Sequence, residues 1–164
     1  TSLGMLGRLD TKKNINKIFL NLLKKSIGNR GTLFVPTYSY SFGKKKKLFN
    51  LKKTKSEIGD FGNYILKEKN VFRSNDPMIS IAGIGPDAFK VLKNEKNTSY
   101  GKGCIFEKML KFDIKILNIG LGPNWIPFIH YLDFLNNVPF RKDKFFKGII
   151  VDGKKKINIK WHYP

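Results

Sequence analysis

His130 and Asp133 stand three residues apart inside the stretch Asn124–Arg141, NWIPFIHYLDFLNNVPFR. If that stretch is helical, positions i and i+3 share a face, and an imidazole can meet a carboxylate there. An imidazole with an unperturbed pKa of about 6.5 accepts a proton near neutral pH. A neighbouring carboxylate favours the protonated ring and helps fix its tautomer. The pair therefore has the make-up of a general base and its orienting partner. The same spacing also suits a core histidine beside a solvated helix carboxylate, so it does not by itself separate catalysis from packing.

The surrounding elements must place that stretch. Ile15, Ile18, Phe19, Leu22, Leu23 and Ile27 recur at helical spacing, and Gly28-Asn29 stops the run. Before it, Thr1–Asp10 (TSLGMLGRLD) is punctuated by Gly4 and Gly7. A glycine loop ahead of a helix can cradle a phosphate, and it can equally be a plain connection. Residues 31–40 (GTLFVPTYSY) read as a strand that Pro36 confines to a sheet edge or strand end. Residues 44–55 read as a lysine-rich loop, and 56–67 as a short helix capped by Ser56.

Arg73 opens a Ser-Asn-Asp-Pro turn that leads into the strand-like run MISIAG, where Ser80, Ala82 and Gly83 are small enough for close approach. Helices are expected over 86–94 and 105–111. The run 114–122 (IKILNIGLG) has the pattern of a buried strand ending in Gly120-x-Gly122, but the third glycine of a dinucleotide fingerprint is missing. Ligands of open α/β sheets sit beyond such strand ends, which would put 123–133 in a functional position. Residues 148–160 read as a hairpin turning at Asp152-Gly153. Strands alternating with helices predict an α/β protein, a layered α/β/α domain around a central mixed sheet. No linker divides the chain, so 1–164 reads as one domain, expected to be partial at both ends.

With 164 residues the chain can bury a real core, and no apolar run approaches the ~20 residues of a membrane span. The single cysteine, Cys104, excludes an internal disulfide and any multi-cysteine metal site, and makes a reducing cytoplasmic setting the default. Net charge is +20, which raises the alternative of a lysine-rich nucleic-acid-binding module without catalysis. Against it, the only arginines are Arg8, Arg30, Arg73 and Arg141, and arginine is the residue that forks onto phosphates and bases. The lysines are spread over every segment, as a coding bias would spread them, and such a field still attracts small anions.

Taken in order, TSLGMLG, GTLFVPTYSYSF, TKSEIGDFGNYI, RSNDPMISIAGIGPDA, YGKGCIFEKML, LNIGLG, FIHYLD and NNVPFR cover nearly the whole chain. In that order and spacing the chain resembles the aminoglycoside 3-N-acetyltransferase family, closest to the branch found among polysaccharide-biosynthesis genes. The resemblance implies an acetyl-CoA-dependent transfer to an amino group of an amino sugar, with coenzyme A and the sugar as small-molecule partners. It implies no metal, no nucleic acid and no membrane, and leaves a homo-oligomer open. The family's H-x-x-E motif maps onto His130 and Asp133, with Asp where Glu is usual. Its R-S-x-H-P-x-x-S motif maps onto Arg73, Ser74, Asp76, Pro77 and Ser80, with Asp where His is usual. Thr1, Ser2 and Leu3 map onto the loop that contacts coenzyme A, and Arg73, Ser74 and Ser80 join them as coenzyme-side residues. Cys104 stands where many members carry Ser, which argues against a cysteine nucleophile.

The acceptor is an antibiotic or a biosynthetic sugar, since both use the same chemistry. A polycationic aminoglycoside needs an acidic pocket, and the chain has 12 Asp+Glu against 32 Lys+Arg. An anionic sugar nucleotide suits that balance better.

Overall fold

The computed structural model describes residues 14–164. Helix α1 (Ile15–Ile27) begins where the Asn14 side chain accepts from the Asn16 and Lys17 amides, satisfying two N–H groups left over by the helix start. Gly28, with φ 70, closes it. Strand β1 (Leu33–Pro36) lies at the edge of a three-stranded antiparallel sheet of order β1-β4-β3, with β3 at Phe72–Arg73 and β4 at Ile81–Ile84. Pro36 ends its strand on that edge, where its missing N–H costs no ladder bond.

Side chains alternate across this sheet, so each face buries a different core. Val35 and its partner Ala82 point toward α1 and α3 (Asp60–Ile65), where Leu20, Phe61 and Ile65 complete one cluster. Ile81 points the other way, into a larger cluster with Phe42, Phe49, Tyr100, Phe106, Tyr131 and Trp161. Helices α4 (Ala88–Leu92) and α5 (Ile105–Lys111) feed Val91, Leu92, Ile105 and Phe106 into that second core.

A second sheet carries β2 (Leu48–Asn50), β5 (Lys144–Asp152) and β6 (Lys155–Tyr163). β2 runs parallel to β5, with Phe49 opposite Ile150. β5 and β6 form an antiparallel hairpin from Lys144↔Tyr163 to Asp152↔Lys155. Its two-residue loop is Gly153-Lys154, one place beyond the Asp152-Gly153 expected, and only Gly153 has positive φ (58). Glycine in the first loop position is the II′ pattern that suits a twisted hairpin. At Gly148 an added Cβ would lie 2.5 Å from Phe42 Cζ and 2.6 Å from the Lys47 carbonyl, so glycine lets helix α2 (Ser41–Lys44) pack on β5.

Four further sequence expectations differ from this fold. The α/β class stands, but the described strands form two small sheets rather than one central mixed sheet, and of these two the second is the mixed one. The loop expected over 44–55 contains β2, whose three residues are too few to show a period; Phe49, fully buried against β5, holds it there. The strand expected over 114–122 is absent: no described strand pairs with it, and Ile116 and Leu117 are 56% and 66% exposed. An apolar run becomes a strand only when a neighbour takes its N–H and C=O groups. The helix expected over 56–67 shrinks to α3, because Ser56 is clasped to Asn63 and Gly59 (φ 111) starts the helix instead. Among the described residues, no helix is long and apolar enough to cross a membrane.

Candidate active site

Helix α6 (Phe128–Leu135) carries the histidine. Pro127, with φ −63, sits at its start, where no amide donor is required. Tyr131 is buried, and Phe128 and Phe134 pack beside it against the large core. That anchoring leaves the His130 side chain 45% exposed, on the same side as Asp133. His130 Nδ1 lies 3.4 Å from Asp133 Oδ2, the meeting that i, i+3 spacing predicts. His130 also stands edge-on to the Tyr100 ring, with centroids 5.3 Å apart.

A third residue completes the cluster. Arg141 Nη1 is 2.9 Å from His130 Nδ1 and 3.2 Å from Asp133 Oδ2, and Nη2 donates to the Pro164 carbonyl. Its guanidinium lies over the Tyr100 ring at 5.4 Å. Tyr100 is itself held by Phe106, stacked at 5.4 Å, and by Tyr163, edge-on at 5.2 Å. Burial drives the Tyr100 phenol far above its ordinary range, and Tyr163 adds to this, so Tyr100 acts as a neutral wall. Arg141 and Tyr100 escaped the sequence reading of roles. The available signal was that Arg141 ends the NNVPFR motif and is one of only four arginines.

The Arg73–Ser80 segment forms a second, inward-facing cluster. Arg73 Nε donates to Ser80 Oγ at 3.0 Å, Nη2 to the Thr37 carbonyl at 2.7 Å, and Nη1 to the Leu51 and Thr54 carbonyls at 3.3 and 2.5 Å. The guanidinium covers the Phe49 ring at 4.7 Å. Burial lowers Arg73 to about 10, which leaves it charged at neutral pH. Ser74 Oγ accepts from the Ile81 amide at 2.9 Å, and Ser80 Oγ donates to the Thr37 carbonyl at 2.8 Å. Ser74 and Ser80 are fully buried. The structure thus brings Arg73, Ser74 and Ser80 together and turns their polar atoms into the protein. Thr1, Ser2 and Leu3 lie outside the described residues.

Asp76, in the same turn, is fully buried, and its Oδ1 accepts from the Met78 and Ile79 amides at 2.8 Å each. Glu95 Oε1 accepts from the Asn75 and Asp76 amides, while Oε2 is sealed from solvent without a partner. Burial, followed by the Asp76 charge, pushes the Glu95 carboxyl up to about 8 from its ordinary 4.5. The folded protein therefore keeps a proton that the unfolded chain releases. This contribution to stability is full below about 4.5 and is lost as pH rises toward about 8. Glu95→Gln keeps an acceptor for the two amides and removes the charge. It should flatten the fall of urea stability with rising pH across that window and be at least as stable as the parent above it. An unchanged slope would show that Glu95 is not the group responsible.

Cys104 is buried, and burial pushes its thiol up to about 11, so it is no thiolate nucleophile at neutral pH. Among the described residues, no group of three or more His, Cys, Asp and Glu side chains is placed to hold a metal.

Comparison with known proteins adds the family context. The sequence profile described as aminoglycoside 3-N-acetyltransferase matches residues 1–163. No curated protein sequence matches the chain. Among solved structures, sisomicin-bound AAC-VIa superposes with a TM-score of 0.81 at 18% identity, over 99% of this chain and 67% of that one. Aminoglycoside acetyltransferase AAC(3)-Xa gives 0.84 at 16%, over 99% and 63%. AAC-IIIb, solved as a binary complex with CoASH, gives 0.81 at 15%, over 99% and 66%. At such identities the likeness is one of fold, and the chain spans about two thirds of the length of these structures.

Proposed function

The chain belongs to the aminoglycoside 3-N-acetyltransferase family, and from that premise we propose that it takes part in acetyl-CoA-dependent N-acetylation of an amino sugar, with His130 as general base. The observation that carries the proposal is the half-exposed His130 paired with Asp133 at 3.4 Å on one face of α6. An amine acceptor is mostly protonated near pH 7 and must lose a proton for its lone pair to attack. In the reaction the amine nitrogen bonds to the thioester carbonyl carbon, the carbon–sulfur bond breaks, and the sulfur leaves as thiolate. The ammonium gives up one proton to solvent to free its lone pair. His130 takes a second proton from the nitrogen as it attacks and returns it to the departing sulfur. The amide thus keeps one N–H, the thiol of coenzyme A forms, and one proton is released for each ammonium consumed. Asp133 compensates the imidazolium that forms in between.

Coenzyme A enters here because the family uses it and because one similar structure holds CoASH. We assign Thr1, Ser2 and Leu3 to its contacts. Arg73, Ser74 and Ser80 support the wall behind it, since their polar atoms are already engaged with Thr37, Leu51, Thr54 and Ile81.

For the acceptor, a sugar nucleotide fits the net charge of +20 better than a polycationic antibiotic, although a similar structure holds sisomicin. Neither the family match nor the fold lends support to the nucleic-acid alternative. The test is kcat/KM for an anionic amino-sugar nucleotide and for an aminoglycoside, each at low and moderate salt. Salt should weaken the first and spare the second, because exposed charges act over only about 8 Å at physiological ionic strength. Efficient aminoglycoside turnover with none for any sugar nucleotide would assign the protein to antibiotic modification.

A further inference from the structure

Nδ1 of His130 has two neighbours that make opposite demands on it. A guanidinium only donates hydrogen bonds, and a carboxylate only accepts them. Arg141 Nη1 stands 2.9 Å from Nδ1, closer than Asp133 Oδ2 at 3.4 Å. With Arg141 donating, Nδ1 is the lone-pair nitrogen, and the single proton of a neutral ring resides on Nε2. In that tautomer Nδ1 and the Asp133 oxygen are both acceptors and make no hydrogen bond. Nε2, carrying its proton, cannot accept another. A base working through Nε2 needs the other tautomer, with Nδ1–H donated to Asp133.

The geometry points to Arg141 as a positioning residue that sets the resting tautomer of His130. Its guanidinium holds Nδ1 as an acceptor and keeps the base in reserve until Nδ1 is handed to Asp133. Arg141 has somewhere to go in that exchange. The same Nη1 already donates to Asp133 Oδ2 at 3.2 Å, and the guanidinium is retained by the Tyr100 ring and the Pro164 carbonyl. The exchange moves a ring proton from Nε2 to Nδ1 through solvent, with no net gain or loss. The functional meaning of this tautomer rests on His130 being the general base; the tautomer itself is a ground-state property.

The test is nitrogen NMR of the histidine-labelled protein, without acetyl-CoA or acceptor, at a pH where the rings are neutral. There are only two histidines, and His162, held by Asp143 at 2.6 Å and Thr98 at 3.2 Å, serves as an internal control of folding. In the parent, His130 should show an unprotonated Nδ1. In Arg141→Met, Nδ1 should move to the protonated range while the His162 resonances stay in place. In Asp133→Asn, which leaves Arg141 where it is, Nδ1 should stay unprotonated. A parent already protonated at Nδ1 would overturn the assignment. So would a tautomer indifferent to Arg141→Met, or one that changes in Asp133→Asn. If Arg141→Met loses its fold, shown by altered His162 resonances, the parent and Asp133→Asn spectra still decide. Because no turnover is read, failure of the tautomer assignment and failure of the general-base assignment give different results.

Discussion

Replacing His130 by alanine should lower acetyl transfer by roughly 10²–10⁴-fold, the typical worth of a positioned base. The loss should fall on kcat, because the ring does its work on a proton in flight. His130 is held by α6, and its side chain is 45% exposed. Truncating it opens no core cavity, so urea unfolding should keep its midpoint within the range of ordinary surface changes. The affinity for acetyl-CoA should also be preserved. The measurement is steady-state kinetics over a range of both substrates, with a denaturation curve on the same preparation. A variant that turns over like its parent would remove His130 from the mechanism. One that loses activity and stability together would recast it as a packing residue beside Tyr100.

Arg73→Met should be the opposite kind of variant, costly to the fold first. Arg73 is the common donor for Ser80 Oγ and for the Thr37, Leu51 and Thr54 carbonyls. It thereby ties β3 to the end of β1 and to the turn that follows β2. Methionine fills much of the stem volume but donates nothing, leaving the part-buried Leu51 and Thr54 carbonyls without this donor, while the Thr37 carbonyl keeps only Ser80 Oγ. Each such group costs about 1–3 kcal/mol, so the loss should be on the order of 3–5 kcal/mol in all. For a protein of this size that is a large part of its whole stability. Urea denaturation reads it as a lower midpoint at an unchanged slope. Arg73→Lys should recover only part, because one ammonium cannot reproduce a fork that reaches three carbonyls and a hydroxyl. A fully stable Arg73→Met protein with lost coenzyme affinity would reverse this reading and make Arg73 a direct ligand.

The two variants separate jobs that the motif pattern alone presents alike. Both residues lie in stretches that match the family, yet His130 is half open and Arg73 is folded inward. For Arg73 the proposed support role rests on where its donors go, a long-range fact. Leu51 and Thr54 lie about twenty positions upstream, and Thr37 lies further still.

What the sequence determined by itself is what short-range rules decide. Helix α1 follows from the i, i+3, i+4 recurrence of its apolar residues and from Gly28; α5 follows from its glycine-led start, with Glu107 reaching back to the Gly103 amide at 2.6 Å. The closing hairpin follows from alternation and a glycine turn, and the approach of His130 to Asp133 from three residues of helix. Tertiary structure alone decided the rest. Phe49 becomes a strand residue because β5 arrives beside it, whereas the equally apolar 114–122 run stays irregular because no described strand does. Arg141 reaches His130 from eleven positions away, and Tyr100 from thirty, since both are fixed by what they pack against. Periodicity records which face of an element is apolar. It carries no record of which partner will satisfy a backbone ladder, a guanidinium or one ring nitrogen, and those partners are chosen only when the chain is folded.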